Sequence, residues 1–213
     1  MSSAFALLIL ESVRWTLALS LVAFLGGLPG GLLIAIGRSS TATWLRSITA
    51  SYIELFQGTP LLLQIFVVYY GMALFGFDLG KWVAVSLALT FHASAYLGEI
   101  WRGCIAALPR GQMEGGISLG LGYVKTMRLI VLPQALKMSI PATVGFLVQL
   151  IKGTSLASLI GFMELTRTGQ VVANATYEPM TTYAVVGLLY FLICWPLSLF
   201  ASRIEERLAV SQR

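Results

Sequence analysis

The sequence predicts an all-α integral membrane protein with five transmembrane helices. Of its 213 residues, 57% are hydrophobic and only 11% are charged, whereas a soluble domain carries about 25% charged residues. The apolar residues form runs of about 20, the length that a helix needs to cross a bilayer. Lys and Arg lie mainly between these runs on one side of the predicted bundle, and this asymmetry gives the orientation.

Five apolar runs predict the spans of a single transmembrane domain that covers residues 1–213. The spans are placed at about 15–36, 52–75, 82–101, 134–158 and 183–200. The first run contains Pro29 among several glycines, residues that membrane helices tolerate where neighbouring helices pack closely. No internal repeat is visible, which argues against a transporter built from inverted repeats.

The loops on one side of the predicted bundle hold ten Lys and Arg residues, and those on the other side hold four. The ten are Arg38, Arg46, Arg102, Arg110, Lys125, Arg128, Lys137, Arg203, Arg207 and Arg213, and the four are Arg14, Lys81, Lys152 and Arg167. The richer side is predicted to be cytoplasmic. Five spans then place the N-terminus in the periplasm and the C-terminus in the cytoplasm. The net charge of +5 does not indicate a nucleic-acid partner, because the basic residues are scattered over loops.

The sequence contains no motif typical of an enzyme or of a metal site. It lacks a Gly-x-x-x-x-Gly-Lys-Ser/Thr phosphate loop, so we expect neither ATP hydrolysis nor a bound cofactor in this chain. Cys104 and Cys194 stand alone in apolar runs and are interpreted as small core residues. The only histidine, His92, could contact a substrate or relay protons, but a hydrogen-bonded core histidine is the preferred interpretation.

The longest polar segment, at about 105–133, follows the third span on the predicted cytoplasmic side. Met113, Ile117 and Leu121 recur every four residues, which predicts an apolar stripe on a short helix. The glycines between them allow another backbone to approach closely. Two interpretations fit, a helix seated in a groove of a partner protein or an amphipathic helix on the membrane surface. Pro133 is expected to break the chain before the next helix.

A second polar stretch begins at Lys152, where the fourth apolar run ends. An ionisable side chain at membrane depth is costly and is a candidate for function. The helix is predicted to end or unwind here, and a restarted helix would offer free N–H groups to a substrate carboxylate. The alternative is that Lys152 reaches the outer surface and that Thr154 and Ser155 only cap a helix.

The polar segment resembles the cytoplasmic signature loop of bacterial ABC importer permeases. The match consists of Glu114-Gly115-Gly116, then Leu119-Gly120, then Ile130-Val131-Leu132-Pro133; the family usually has Ala at the two glycines. In that family the loop docks on the ATPase subunit, and the fold is that of the type I importer permeases. The resemblance implies that the residues coupled to an ATPase are Glu114, Gly115, Gly116, Leu119, Gly120 and Pro133.

Three other segments resemble permeases for polar amino acids of the histidine, glutamine and arginine type. They are 54–64, 95–103 and 149–167, and Gly153 stands where that group often has Asp. The resemblance implies an importer in the bacterial inner membrane that works by alternating access. Its partners are an ATPase dimer that binds ATP and Mg, an external amino-acid-binding protein and a second permease, identical or paralogous, all within membrane lipid.

Polar residues at the end of the fourth span and near the ends of the second and third spans predict a substrate site and a gate. The predicted substrate contacts are Lys152, Thr154, Ser155, Ser158 and Glu164, with Glu164 facing the ammonium group of the amino acid. Glu54, Glu99 and Arg102 are predicted to have a gating or structural role. Because Gly153 replaces an acid, neutral or acidic amino acids are favoured over arginine or lysine. The alternatives from other classes are a secondary transporter or channel without an ATPase, and a membrane scaffold.

Overall fold

The computed structural model describes residues 3–210, and every element in that range is helical. The elements are α1 (Ser3–Arg38), α2 (Thr43–Gln57), α3 (Leu61–Leu74), α4 (Lys81–Ala107), α5 (Arg110–Ser118), α6 (123–153), a 3₁₀ helix (Thr154–Ile160), α7 (Leu165–Thr176) and α8 (Pro179–Val210). Four helices in this range are long and apolar enough to cross a membrane, and α2 with α3 makes a fifth crossing if the bent pair is one span. The all-α fold is therefore confirmed. Positions 1, 2 and 211–213, which include both predicted termini and Arg213, lie outside the described residues.

Helices α1 and α4 pack closely side by side and run in the same direction. A Cβ added to Gly27 would lie 2.6 Å from the Cβ of Ala93, and one added to Gly98 would press on Ile34. Small residues let the two backbones approach at this interface, and α1 stays helical through Pro29. Because two parallel neighbours require a return crossing between them, α2 and α3 must carry the chain back across the bundle.

The remaining long helices alternate in direction. Helix α6 runs antiparallel to α4, since Trp101 donates to the Thr143 hydroxyl at 3.0 Å while Tyr96, earlier in α4, stacks on Phe146. Helix α8 then returns beside α6 and α7. The start of α1 and the end of α8 therefore lie at opposite ends of the bundle.

The second predicted span, at 52–75, is not a straight helix. The chain bends by 101° between α2 and α3, at Gly58-Thr59-Pro60. A Cβ on Gly58 would lie 2.6 Å from the Glu54 carbonyl oxygen, and Pro60 disfavours helical backbone at the residue before it. Irregular backbone at membrane depth is tolerated where it is buried in protein or lines a cavity.

The predicted loop at 105–133 is mostly helical, and the expectation that Pro133 breaks the chain is wrong. Helix α4 continues to Ala107, and the helix that contains Pro133 already begins at Tyr123. A π-helical turn at Met127–Val131 directly precedes the proline. This wider turn shifts the hydrogen-bond register, so the proline can be accommodated within the helix.

Candidate functional site

The two glycines of the signature segment face different surroundings on α5. Gly116 is buried against α6, where an added Cβ would overlap the methyl group of Thr126 and lie 3.1 Å from Ile130 Cδ1. Gly115 is exposed, and an added Cβ would meet no atom of the described residues within 4 Å. Gly116 therefore joins α5 to its own chain, and Gly115 leaves the outer face of α5 open to another protein.

The C-terminus of α5 is closed by a left-handed glycine. Gly120 has φ +81°, its N–H donates to the Ile117 carbonyl at 2.9 Å, and the Leu121 N–H donates to the Gly116 carbonyl at 3.1 Å. This is a Schellman termination, which a residue without a Cβ adopts at low cost. The turn leaves the Leu119 side chain 81% exposed and Ile117 52% exposed. Glu114 is also exposed.

Hydrogen bonds fix α5 and the start of α6 to the bundle. The Gln134 side chain donates to Gln112 Oε1 at 3.1 Å, which joins α6 to α5. The Tyr123 hydroxyl donates to the Ser39 carbonyl at 2.8 Å, just beyond the end of α1. Pro133 lies beside Gln134 on α6 and is exposed. These two hydrogen bonds join α5 to α6, and the start of α6 to the end of α1.

Glu99 and Arg102 form the predicted pair near the α5 end of α4. Arg102 Nε donates to Glu99 Oε2 at 2.8 Å, and both side chains are about one-third exposed. Glu99 also lines a groove of about 360 Å³ between α4 and α6, together with Tyr96 and Gly103. Glu54 is exposed on α2.

The end of α6 carries Lys152, and the helix changes character just beyond it, as predicted. The α-helix ends at Gly153 and tightens into the 3₁₀ helix. Lys152 is exposed and lines a groove of about 630 Å³ between α6 and α8, whose lining also includes Gln149, Ser198 and Glu205. Ser155 lies next to it and donates to the Lys152 carbonyl at 2.7 Å.

The other three predicted substrate contacts are buried, and the structure gives them supporting positions instead. Thr154 and Glu164 have no exposed surface, and Ser158 is 8% exposed. The Thr154 hydroxyl donates to the Ile151 carbonyl at 2.7 Å. None of the three side chains lines the 630 Å³ groove.

Glu164 caps α7, which corrects the expectation of free N–H groups at this helix start. Its carboxylate accepts from the N–H groups of Thr166 at 2.9 Å and Arg167 at 2.7 Å, and from the Tyr190 hydroxyl at 3.0 Å. Burial raises the pKa of Glu164, and these hydrogen bonds only partly oppose that shift. A buried, fully engaged carboxylate is not available to a substrate ammonium group.

Sequence reasoning missed the role of Gln64. This buried side chain donates through Nε2 to the carbonyls of Phe56 at 2.8 Å and Thr59 at 3.0 Å, and its Oε1 meets His92 Nδ1 at 3.0 Å. His92 is therefore hydrogen-bonded, as preferred from the sequence. The sequence did offer one signal, a glutamine four residues after Pro60. Backbone groups that lose their helical partners at a break need new ones, and a nearby amide side chain can supply them.

The bend and the end of α6 meet in the folded chain. A Cβ added to Gly153 would lie 3.0 Å from Leu61 Cδ2, at the start of α3. The segments 54–64 and 149–167 therefore form one region of the molecule. Within residues 3–210, no group of three His, Cys, Asp or Glu side chains is placed to hold a metal ion.

Comparisons with known proteins agree with this architecture. The family model described as binding-protein-dependent transport system inner membrane component matches residues 27–210. The probable amino-acid ABC transporter permease protein YckA of Bacillus subtilis (strain 168) is 32% identical over 201 residues, which are 94% of this chain and 89% of that protein. The L-cystine transport system permease protein TcyB of the same organism is 34% identical over 197 residues, 92% of this chain and 84% of that protein.

A solved structure supports the fold directly. The crystal structure of an amino acid ABC transporter with histidines superposes with a TM-score of 0.89 at 33% sequence identity. The match covers 96% of this chain and 95% of the solved one. The two chains therefore share the same arrangement of helices over nearly their whole length.

Proposed function

The chain belongs to the family of inner membrane components of binding-protein-dependent transport systems, and we propose that it is the permease subunit of an ABC importer that carries a polar amino acid. The observation that carries the proposal is α5, an exposed helix anchored to α6 with its outer face open at Gly115. The partners are an ABC ATPase dimer, an external amino-acid-binding protein and a second permease subunit, identical or paralogous. The N-terminus faces the periplasm and the C-terminus the cytoplasm, in accord with the distribution of Lys and Arg.

Coupling follows from the contacts of α5. The ATPase subunits hold the outer face of α5 at Glu114, Gly115 and Leu119, so that ATP binding draws the α5 helices of two permeases together. The contact of Gly116 with Thr126 passes this movement to α6. Helix α6 is about 46 Å long at 1.5 Å per residue, and its far end lies beside the groove. Alternating access results when the movement of α6 changes which side of the groove is open.

The substrate site uses the exposed groups at the end of α6. A substrate carboxylate in a low-dielectric groove requires a charged or hydrogen-bonding partner, and Lys152 supplies the cation, with Gln149 and Ser155 beside it. Thr154 and Glu164 support this site through hydrogen bonds on either side of the turn between α6 and α7. The site favours neutral or acidic amino acids over arginine and lysine, because no acid stands at position 153, next to Lys152, to pair with a basic side chain.

The test is stimulation of ATP hydrolysis in the complex reconstituted with its ATPase and binding protein. Substrate-loaded binding protein should stimulate the wild-type complex, and Gly115→Leu should abolish the stimulation by filling the open face of α5. Gly187→Leu in α8 is the matched control, since an added Cβ there also meets nothing within 4 Å in the described chain, and it should leave coupling intact. Normal stimulation with Gly115→Leu would contradict the proposed contact between the ATPase and the outer face of α5.

A further inference from the structure

An apolar pocket of about 490 Å³ lies where the start of α4 meets α1 and the segment between the 3₁₀ helix and α7. Its lining residues are Trp15, Trp82, Phe162 and Met163. The Trp82 ring stacks on Phe162 with 5.3 Å between the ring centroids, and it meets Trp15 in a T-shaped contact at 5.8 Å. The Trp15 and Met163 side chains are exposed, so the pocket is open to what surrounds the protein.

The pocket lies at the level where the membrane interface is expected. Helix α4 begins at Lys81 and has 27 residues, so at 1.5 Å per residue it is about 40 Å long, and its ends reach past a hydrocarbon core of about 30 Å. Trp82 is the second residue of this helix, and its contact with Trp15 puts both rings at the same end of the bundle. Tryptophan is enriched where the hydrocarbon meets the headgroups. Lipid headgroups are therefore expected at the mouth of the pocket.

Two cations border the pocket. The Arg14 guanidinium carbon lies 5.3 Å from the centroid of the Trp15 ring. Lys81 Nζ donates to the carbonyl of Gly161, the residue before Phe162, at 3.2 Å. Both cationic side chains are exposed, and in the part of the chain that the structure describes neither forms a salt bridge. The Lys81 ammonium retains two further N–H donors, and a guanidinium offers five, so both groups can bind an anion.

We propose that this pocket is a binding site for an anionic phospholipid, whose phosphate lies between Arg14 and Lys81 and whose acyl chain lies against the aromatic rings. A phosphodiester accepts charge-assisted hydrogen bonds from both cations. A soluble anion would leave the apolar wall uncovered, and a lipid without net charge would leave the two cations uncompensated. An anionic phospholipid satisfies both conditions. In the orientation proposed above, the Lys81 end of α4 is periplasmic, so the lipid belongs to the outer leaflet.

The experiment is native mass spectrometry of the purified permease–ATPase complex, titrated with phosphatidylglycerol or phosphatidylcholine that carry the same acyl chains. The apparent Kd of the wild-type complex for phosphatidylglycerol should be lower by about fivefold or more, the factor that one cation near a membrane surface contributes toward an anionic lipid. Equal affinities for the two lipids would overturn the proposal, because an apolar groove alone would explain them. Inorganic phosphate at the same concentration should not displace phosphatidylglycerol. Displacement would identify a site for soluble anions and would also overturn it.

Two variants assign the effect to this pocket. Arg14→Gln and Lys81→Gln should each raise the Kd for phosphatidylglycerol about fivefold and leave that for phosphatidylcholine within about twofold. Arg167→Gln is the matched control and should keep both wild-type values, because Arg167 lies on the same predicted side but donates to Gln170 and does not line the pocket. Arg14→Gln retains the hydrogen bond between Lys81 and Gly161, so it tests the site even if the Lys81 variant fails to assemble. An unchanged Kd for phosphatidylglycerol in Arg14→Gln would overturn the proposal.

Discussion

Replacing Gly116 by Ala should loosen α5 from α6, whereas the same change at Gly115 should not. Both positions lie in the same short helix, so alanine brings the same gain in helix propensity, about 1 kcal/mol, at each. Only the Cβ at position 116 meets other atoms, namely Thr126 Oγ1 at 2.8 Å and Ile130 Cδ1 at 3.1 Å, in addition to the overlapped methyl group of Thr126. The comparison therefore isolates the packing contact from helix propensity.

The expected magnitude follows from that overlap. Forcing an extra carbon into a well-packed contact costs about 1–3 kcal/mol. Gly115→Ala should accordingly stabilise the chain slightly. The free energy of unfolding of Gly116→Ala should be about 1–3 kcal/mol lower than that of Gly115→Ala. For a chain of this size, each kcal/mol corresponds to roughly 2–4 °C in melting temperature. Thr126→Ala removes the atoms that the new Cβ in Gly116→Ala would meet first, so combining the two substitutions should recover part of the loss.

The assay is thermal unfolding of the purified permease in detergent, followed by substrate-stimulated ATP hydrolysis in the assembled complex. Gly116→Ala should lower both the melting temperature and the stimulation, and Gly115→Ala should lower neither. Equal melting temperatures for the two single variants would refute the assignment of Gly116 to the contact between α5 and α6. Failure of Thr126→Ala to compensate would show that the loss arises elsewhere.

Lys152→Ala should raise the substrate concentration for half-maximal uptake by roughly ten- to a hundredfold, since a charge-assisted hydrogen bond contributes about 1.5–3 kcal/mol; unchanged uptake at matched expression would make this segment structural. Glu164→Ala should lower the melting temperature by removing a helix cap worth about 0.5–2 kcal/mol, and an unaltered unfolding curve would contradict the capping role. A cysteine at position 118, on a background lacking Cys104 and Cys194, should react with an impermeant reagent only from the cytoplasmic side. Cysteines at positions 2 and 212 should be labelled from outside and from inside respectively. Labelling of position 118 from outside intact cells would contradict the predicted orientation.

Composition and apolar run length were sufficient to predict the fold class. Transmembrane helices satisfy their own backbone hydrogen bonds, so hydrophobic length alone identifies them. The family also followed from the sequence, because the signature around Glu114 combines several residue types at fixed spacing. Within the signature, however, adjacent glycines cannot be told apart from sequence alone. Only the position of Thr126 shows that Gly116 faces inward and Gly115 outward.

Three local features could not be predicted because tertiary contacts decide them. The bend at Gly58 lies within an apolar run that is long enough for a straight span, and it depends on Gln64, a residue on the far side of the break. Helix α6 passes through Pro133 because a π-helical turn precedes it, and local propensity does not reveal that turn. The role of Glu164 depends on burial and on Tyr190, 26 residues further along the chain.

Uptake into proteoliposomes tests most directly whether this chain imports an amino acid with energy from a partner ATPase. The vesicles contain the permease–ATPase complex, and the loaded binding protein is added outside. One set of vesicles receives ATP on the side of α5, and another set receives a proton or sodium gradient instead. Accumulation of a radiolabelled polar amino acid with ATP, and none with either gradient alone, is the predicted result. Accumulation driven by an ion gradient without the ATPase would contradict the claim and identify the chain as a secondary transporter.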